Sequence, residues 1–178
     1  MTQKTTFDRA TKLLADIPDG VEEALASALN RAVTEGRTKG VDSVYKEHTL
    51  LKREIRSTFT TKRATKRRLQ ATLTSASGPM PLSKYAHRPK TDTTGKKRRP
   101  VKVAVIRGSY KSIDRGFVHA GQLRHREGAS RYPIKVKYGP PVPLLVGDEE
   151  VVEDILQTIE SSVEKRLEHE TLRLLNRW

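Results

Sequence analysis

The spacing of apolar residues changes twice along this chain of 178 residues, and the two changes divide it into three parts. In the first part apolar residues recur three and four positions apart, which places them on one face of an α-helix. After Arg68 they alternate with polar residues, as on half-buried strands. The helical spacing returns after Asp148 and continues almost to the last residue. This order is typical of a two-layer α+β domain.

The first part predicts two N-terminal helices. Phe7 to Ala15 form a short amphipathic segment that ends before Pro18, and a second segment starts at Val21. The second segment keeps its apolar residues at helical spacing over several turns, so one of its faces is expected to be buried. Gly36 and Gly40 weaken this helix by roughly 1 kcal/mol each relative to Ala, and they are candidates for a bend or an interruption.

A third helix is predicted to follow Thr49, whose hydroxyl suits an N-cap. Its apolar residues are Leu50, Leu51, Ile55 and Phe59. Together with the preceding helix it does not fit a helix-turn-helix motif. The first helix is too long, the turn lacks a clear glycine and no third helix follows.

The middle of the chain predicts an antiparallel β-sheet that carries a long basic loop. Its strands are expected at Leu69–Leu73, Leu82–Ala86, Val101–Val105 and Gly116–Val118, with a hairpin of Leu123–Arg126 and Arg131–Val136. Residues 87–100 contain no core-forming residue and predict a long loop that is mobile until it meets a partner. Three prolines make Tyr138–Pro143 an extended connector.

The last part predicts one long helix packed on the sheet. Asp148 suits its N-cap, and the glutamates that follow favour the positive end of the helix dipole. The apolar positions are Val152, Ile155, Leu156, Ile159, Val163 and Leu167. We therefore expect a single domain over residues 1–178, with a helical part at 1–66, a basic β part at 67–143 and a C-terminal helix at 148–178.

Charge is unevenly distributed over these parts. The net charge is +14, yet residues 1–50 carry 7 Lys or Arg against 8 Asp or Glu, and residues 148–178 carry 4 against 9. Residues 51–147 carry 24 against 4, and two basic clusters stand out among them: Arg63, Lys66, Arg67 and Arg68, and then Lys96, Lys97, Arg98 and Arg99. Such clusters contact phosphates, or they are solvated faces. Aromatic residues are 5% of the chain and do not alternate with the cations, which argues against base stacking on single strands.

The sequence predicts no catalytic centre, cofactor or metal site. It has no cysteine, so disulfides, thiolate ligands and a cysteine nucleophile are excluded. His119 and His125 would need a third metal ligand from elsewhere. The acids of the middle part are too scattered for a two-metal nuclease, and Gly108–Ser112 lacks the first glycine of a phosphate-binding loop.

No stretch approaches the roughly 18 apolar residues of a membrane span, and the N-terminus is unlike a signal peptide. We expect a soluble protein made in the cytoplasm.

Three stretches in collinear order resemble the minor tail protein Z family, the tail-completion proteins of long-tailed phages. The first is Ala26–Val33 followed by the basic run of residues 51–65, and the second is Gly116-Phe117-Val118 after a valine-rich strand. The third is Arg131-Tyr132-Pro133-Ile134, followed by a proline-rich connector and the terminal helix. The likeness extends from about Ala24 to the C-terminus. An acidic terminal helix, where the family suggests a more basic one, and additional N-terminal sequence depart from it.

The resemblance implies a structural virion protein without enzymatic activity. Its expected place is a closed homo-oligomeric ring, a hexamer, at the head-proximal end of the tail, after assembly in the host cytoplasm. Its expected partners are the tail terminator protein, the head–tail connector or stopper protein and DNA in the lumen, with no membrane. Lys96–Arg99 would face that DNA or clamp a neighbouring protein. Gly116, Phe117 and Arg131–Ile134 are interpreted as structural determinants.

Two alternative functions remain open at this point. A free nucleic-acid-binding protein would also carry this charge, and it would bind DNA or RNA as a monomer with a strong dependence on salt. A head-completion or neck protein of related fold is hardly distinguishable from a tail-completion protein by sequence. The position of the protein in purified particles would separate these roles.

Replacing Lys96, Lys97, Arg98 and Arg99 together with Ser is expected to leave the Tm unchanged, because a loop without core-forming residues contributes no buried surface. Thermal unfolding followed by circular dichroism measures this. A large loss of thermal stability would mean that the loop belongs to the folded core.

Overall fold

A computed structural model describes residues 2–90, 100–128 and 130–177 of the chain. Its α-helices are α1 (Thr2–Leu13), α2 (Gly20–Glu47), α3 (Lys52–Ser57), α4 (Val142–Val146) and α5 (Glu149–Arg177). A short 3-10 helix covers Leu82–Lys84. The α+β class, the N-terminal helices and the long C-terminal helix are confirmed.

The strands form several small antiparallel sheets. The first pairs β1 (Phe59–Lys62) with β2 (Thr72–Ser75), and the second pairs β3 (Met80–Pro81) with β10 (Tyr138–Gly139). The third contains β4 (Ala86–Arg88), β5 (Val101–Ala104) and β6 (Tyr110–Ile113) in that order. The fourth contains β7 (Gly116–His119), β8 (Gln122–Arg126) and β9 (Ile134–Val136).

The chain divides into two compact units. Unit 1 comprises Met1–Gly40, Phe59–Ser75 and Asp148–Trp178, and unit 2 comprises Val41–Thr58 and Ala76–Gly147. Unit 1 therefore holds α1, most of α2, the β1–β2 sheet and α5. Unit 2 holds the end of α2, α3, α4 and the remaining sheets. The assignment of all 178 residues to one domain stays a prediction.

The core of unit 1 lies where α1, α2 and α5 meet. It consists of Ala10 and Leu14 of α1 and the turn after it, Ala24 and Ala28 of α2, and Leu167 and Leu174 of α5. The small alanine side chains lie on one face of α2, so the larger leucines of the neighbouring elements fill the space beside them. Asp148 caps α5 as predicted, because its Oδ1 accepts a hydrogen bond from the Glu150 backbone N–H at 3.2 Å.

The two glycines in α2 mark a close helix crossing. The helix runs through Gly36 and Gly40 without interruption. A Cβ at Gly36 would lie 2.5 Å from Cγ1 of Ile159, and a Cβ at Gly40 would lie 2.8 Å from Cδ1 of Ile155. Both isoleucines belong to α5. The glycines that weaken α2 in isolation are therefore the positions where α5 approaches its backbone.

Asn30 joins α2 to the connection between β1 and β2. Its Nδ2 donates to the Ala64 carbonyl at 2.9 Å, and its Oδ1 accepts from the Ala64 N–H at 2.8 Å. The side-chain amide thus satisfies both backbone groups of one buried residue, as a paired strand would. The structure therefore gives Asn30 a specific role in unit 1.

In unit 2, Thr49 was wrongly predicted as an N-cap. The third helix starts after Leu51 and lacks a side-chain cap, and Phe59 opens β1 instead of ending that helix. The Thr49 hydroxyl donates to the Ala104 carbonyl and accepts from the Ala86 N–H. It therefore fastens the segment before α3 to β4 and β5, and these two hydrogen bonds engage the hydroxyl that was expected to cap α3.

Other strand predictions are corrected in their bounds. The strand expected from Leu69 begins at Thr72, and Leu69 is exposed. The strand expected at Leu82–Ala86 is a 3-10 helix followed by β4. The connector after Tyr138 contains β10 and the start of α4, whose first turn accommodates proline. The strands expected near Val101 and Gly116 and the β8–β9 hairpin are confirmed.

Gly36→Ala tests the helix crossing. Ala favours an isolated helix by roughly 1 kcal/mol over Gly, but overpacking against Ile159 costs about 1–3 kcal/mol. We therefore expect a net loss in the free energy of unfolding, measured by chemical denaturation. Gly78→Ala is the control, because nothing lies within 4 Å of the Cβ it would add.

A second variant makes this result specific to the contact. Gly36→Ala combined with Ile159→Ala is expected to lose less stability than the sum of the two single changes, since removing the isoleucine makes room for the new methyl group. Stabilisation by Gly36→Ala alone would contradict the close crossing.

Candidate functional site

The net positive charge belongs entirely to unit 2. By sequence, unit 1 contains 15 Lys or Arg and 15 Asp or Glu, whereas unit 2 contains 20 against 6. Unit 2 therefore accounts for the net charge of +14. A surface with this excess of cations attracts a polyanion or an acidic protein surface.

The predicted basic loop connects β4 to β5. Lys96, Lys97, Arg98 and Arg99 lie outside the described residues, but the hairpin stem that leads to them is described. Arg88 and Lys102 are direct cross-strand neighbours at its end. The Arg88 guanidinium lies 5.3 Å from the centre of the Tyr110 ring, and Lys90 and Lys102 are exposed. The stem therefore presents cations where the basic connection begins.

The second basic cluster lies in unit 1, in the connection between β1 and β2. Thr65 and Arg68 exchange backbone hydrogen bonds at 2.9 and 3.0 Å, which closes a tight turn. Lys66 Nζ lies 2.9 Å from Glu23 Oε2 of α2, and Arg68 donates to the Gln70 side chain at 3.1 Å. Lys66 is thus engaged inside unit 1, so Arg63 and Arg67 are the better candidates in this cluster for an external partner.

Glu23 collects positive charge from two directions. The hydrogen bond from Lys66 lowers the pKa of Glu23 below its ordinary value, and the charge of Arg173, 3.5 Å away, adds to the effect. The same hydrogen bond raises the pKa of Lys66. Because these groups are largely in solvent, their contribution to stability is screened and small.

Gly116 and Phe117 lie at the start of β7, and both have contacts inside unit 2. A Cβ at Gly116 would lie 2.8 Å from Cγ2 and 3.1 Å from the carbonyl oxygen of Ile113. Only glycine fits this approach without a shift of the chain. Phe117 is half-buried, and the Arg126 guanidinium lies 5.7 Å from its ring centre. These contacts support a structural role for the two residues.

Arg131 and Tyr132 lie in a different environment, between β8 and β9. Tyr132 is 65% exposed, and the Arg131 guanidinium lies 5.8 Å from its ring centre. Pro133 is also exposed, whereas Ile134 is half-buried and pairs with Arg126. Arginine and tyrosine are frequent anchors of protein interfaces. Arg131 and Tyr132 are therefore candidate contacts to a partner. The sequence had suggested only a structural role for them.

The exposed side of α5 is acidic. Five of its exposed carboxylates form no ion pair with a described residue: Glu149, Glu150, Glu153, Glu160 and Glu168. Val152 and Leu156, which are 38% and 55% exposed, lie among them. We call these seven residues the acidic ridge. The prediction that Val152 and Leu156 belong to the buried apolar face is wrong, and α5 buries Val151 there. Ile155 and Leu167 are buried as predicted, and Ile159 and Val163 are half-buried.

Neither a metal cluster nor a membrane span is found in the part of the chain that the structure describes. Residues 2–90, 100–128 and 130–177 contain no group of three His, Cys, Asp or Glu side chains placed to hold an ion. Within the same ranges, no helix combines the length and the apolar character needed to cross a bilayer. His119 and His125 lie on β7 and β8.

The described sites are exposed charged surfaces, which are the kind that structural proteins present to large partners. Residues 6–177 match the family model described as Prophage minor tail protein Z (GPZ), and the chain belongs to this family. It is a structural protein of the bacteriophage tail and so of the virion. The resemblance seen in the sequence is thereby confirmed. No curated protein and no solved structure matches the chain significantly.

Glu23→Gln tests the ion-pair cluster by its pH dependence. Since the pKa of Glu23 is lowered on folding from its ordinary value of 4.5, its stabilisation is present above that value and is lost as pH falls through the lower, folded value. We expect the Tm of the variant to change less than that of the wild type between about pH 5 and pH 3. Glu22→Gln, one position away and exposed, is the control. Equal pH profiles for both variants would contradict the assignment.

Proposed function

We propose that this protein is a tail-completion subunit, which forms a ring at the head-proximal end of the tail. In this role it joins the tail terminator to the head–tail connector or stopper protein, with its basic β part near the DNA channel. The function is structural and involves no catalysis. Membership of the minor tail protein Z family supports the tail as its place, and the separation of charge between the two units supports the ring.

The separation of charge is the observation that carries this proposal. A ring of identical subunits uses a heterologous interface, in which two different surfaces of each copy meet. These surfaces have to be complementary. The acidic ridge of unit 1 and the cation-rich surface of unit 2 meet this condition when they belong to neighbouring copies. Opposite charges would guide the approach and set the orientation, and the apolar side chains of the ridge would add buried area.

The apolar members of the ridge sharpen this assignment. Val152 and Leu156 are one helical turn apart, and Glu149, Glu153 and Glu160 flank them on α5. Burying the two apolar side chains favours a lasting contact, whereas carboxylates alone would give a weak and salt-sensitive one. An interface with an apolar centre and a charged rim is the usual arrangement for specific protein association.

The basic connection between β4 and β5 fits the lumen of such a ring. Moving DNA through a narrow channel brings many phosphates close to the wall, and fixed cations lower the electrostatic cost of this approach. Contacts to phosphates carry no sequence information, as a channel for a whole genome requires. Arg88 and Lys102 of the stem and the four cations at 96–99 would supply these contacts.

Cryo-electron microscopy of purified phage particles tests the proposed position. We expect a ring of this protein between head and tail, with the β4–β5 connection directed to the channel. A ring on the head side of the connector would instead assign a head-completion role. Absence from the particle would reject the ring and favour the free nucleic-acid-binding protein, whose monomer would then bind DNA or RNA tightly and with strong salt dependence.

Charge reversal tests the ridge as the ring interface. We expect Glu153→Lys combined with Glu160→Lys to lower incorporation into particles by about tenfold or more, because like charges would then face each other. Incorporation is measured by supplying the variant to a phage that lacks its own copy of the gene and quantifying the protein in purified particles.

Asp8→Lys combined with Asp16→Lys is the matched control, since it makes the same change of charge at exposed positions of unit 1 outside the ridge. Incorporation of the ridge variant at the level of this control would exclude the ridge from the interface.

A further inference from the structure

A cleft opens in unit 2 beside the end of β6. One wall comes from the end of β6 and the turn to β7, and the other from the end of β8 and the residue after β9. It encloses about 570 Å³ and is lined by Ser112, Ile113, Asp114, Arg115, His125, Arg126, Glu127 and Lys137. The antiparallel pairing of Gly116 with His125 explains why the two walls meet here, because it brings Arg115 beside Arg126.

The cleft has an excess of positive charge. Arg115, Arg126 and Lys137 line it together with two acids, Asp114 and Glu127. Glu127 is engaged by Lys135 at 2.6 Å. The Asp114 side chain is 95% exposed, and its Oδ2 is 3.8 Å from Arg115 Nε. The acids are therefore neutralised or in solvent, and cations dominate the interior.

Two nitrogen atoms of the lining have no hydrogen-bond partner among the described residues. They are Arg126 Nε and His125 Nδ1, and both are shielded from solvent. A guanidinium donates hydrogen bonds and accepts none. Arg126 Nε therefore lacks an acceptor, and because solvent does not reach it, an oxyanion in the cleft supplies one only when the surrounding side chains shift, as interface side chains commonly do on binding. The missing partner and the excess of positive charge point to the same class of ligand.

The cleft adjoins the stem of the basic β4–β5 connection. Val101 pairs with Ile113 and Lys102 with Ser112, while Arg88 pairs with Lys102. The end of the sheet from which the connection leaves is thus the end that forms one wall of the cleft. Cations of the stem and of the cleft therefore lie at the same end of this sheet.

We propose that this cleft is a phosphate-binding site for the backbone of duplex DNA. Arg115, Arg126 and Lys137 contact phosphates of one strand, and a shift of the lining side chains lets Arg126 Nε donate to a phosphate oxygen. The proposal rests on the tail-completion role and specifies where DNA touches the subunit. A polyanion fits a series of cations that continues beyond the cleft, whereas a single acidic side chain of a neighbouring protein would engage only part of it. These contacts do not read the base sequence.

DNA binding by the full-length protein tests the site. The probe is a short fluorescein-labelled duplex of mixed sequence, and its anisotropy is measured over a range of salt concentrations. The cleft variant combines Arg115→Asn, Arg126→Gln and Lys137→Gln. Asn suits position 115 because this residue has a φ of 50°. We expect affinity to fall by roughly tenfold or more and the slope of log K against log salt to become less steep by about 2 to 3.

The matched control removes the same charge elsewhere. Lys12→Gln, Lys46→Gln and Lys165→Gln change three exposed helical lysines outside the cleft. We expect this variant to keep most of the affinity and of the slope. An equal loss of DNA affinity in both variants would mean that only the net charge of the protein matters, and it would overturn the proposal. DNA binding by the cleft variant that equals that of the wild type would also overturn the proposal. If that variant instead loses affinity for a peptide with the acidic sequence of α5, the cleft binds a protein and not DNA.

Arg126→Lys separates the directional hydrogen bonds of the guanidinium from its charge. As a single change that keeps the charge, it also disturbs the fold less than the triple cleft variant does. Lysine keeps the charge but lacks the Nε donor and the planar fork. We expect a loss of affinity of about threefold to tenfold with little change in the salt slope. Unchanged affinity would reject the role of Arg126 Nε.

The outcomes also distinguish this site from the ring. Cleft-dependent DNA binding by a protein that is absent from the neck would reject the tail-completion role and keep the site. A ring in the neck whose subunits bind DNA independently of the cleft would keep the tail-completion role and reject the site.

Discussion

The close approach of α5 to α2 is the constraint on which unit 1 depends. Gly36 and Gly40 remove the side chains that would separate the two helices, and Ile155 and Ile159 of α5 occupy that space. Because one side of α5 is committed to this contact and to the leucine-rich core, its other side is left with the acidic ridge. The same packing that stabilises unit 1 therefore fixes which charges a neighbouring protein meets.

The charge pattern gives the two units different physical properties. Unit 1 is balanced overall but exposes a row of carboxylates on α5, and unit 2 carries the whole excess of positive charge. For a structural protein of the phage tail, this separation supports one interface between neighbouring copies and another toward DNA. In the proposed role, the cleft beside Arg126 and the stem at Arg88 and Lys102 supply cations for the second.

Much of the fold follows from sequence spacing, because a long buried helix face or an alternating strand leaves a periodic signal. The bounds of α5 and the Asp148 cap follow in this way, as does the β8–β9 hairpin.

Contacts between distant residues leave no such signal. By sequence Thr49 resembles an N-cap, but in the fold its hydroxyl donates to the carbonyl of Ala104. By sequence Gly36 is a weak point of its helix, but in the fold Ile159 lies against it. The cleft combines residues from the ends of β6, β8 and β9 and from the turns beside them, so its cations are recognisable as a group only after folding. The basic loop at 96–99 was found from composition alone, and its role stays a prediction.

The hydrogen bonds of Asn30 have a consequence for the durability of the particle. A side-chain amide can lose its nitrogen by hydrolysis over time, which turns asparagine into aspartate. At this position the change would replace the donor to the Ala64 carbonyl with a second, charged acceptor, and two oxygens would face each other across a half-buried contact. A virion protein is not resynthesised after assembly. Loss of this one amide would therefore weaken the attachment of the β1–β2 connection to α2 in a subunit that the particle cannot replace.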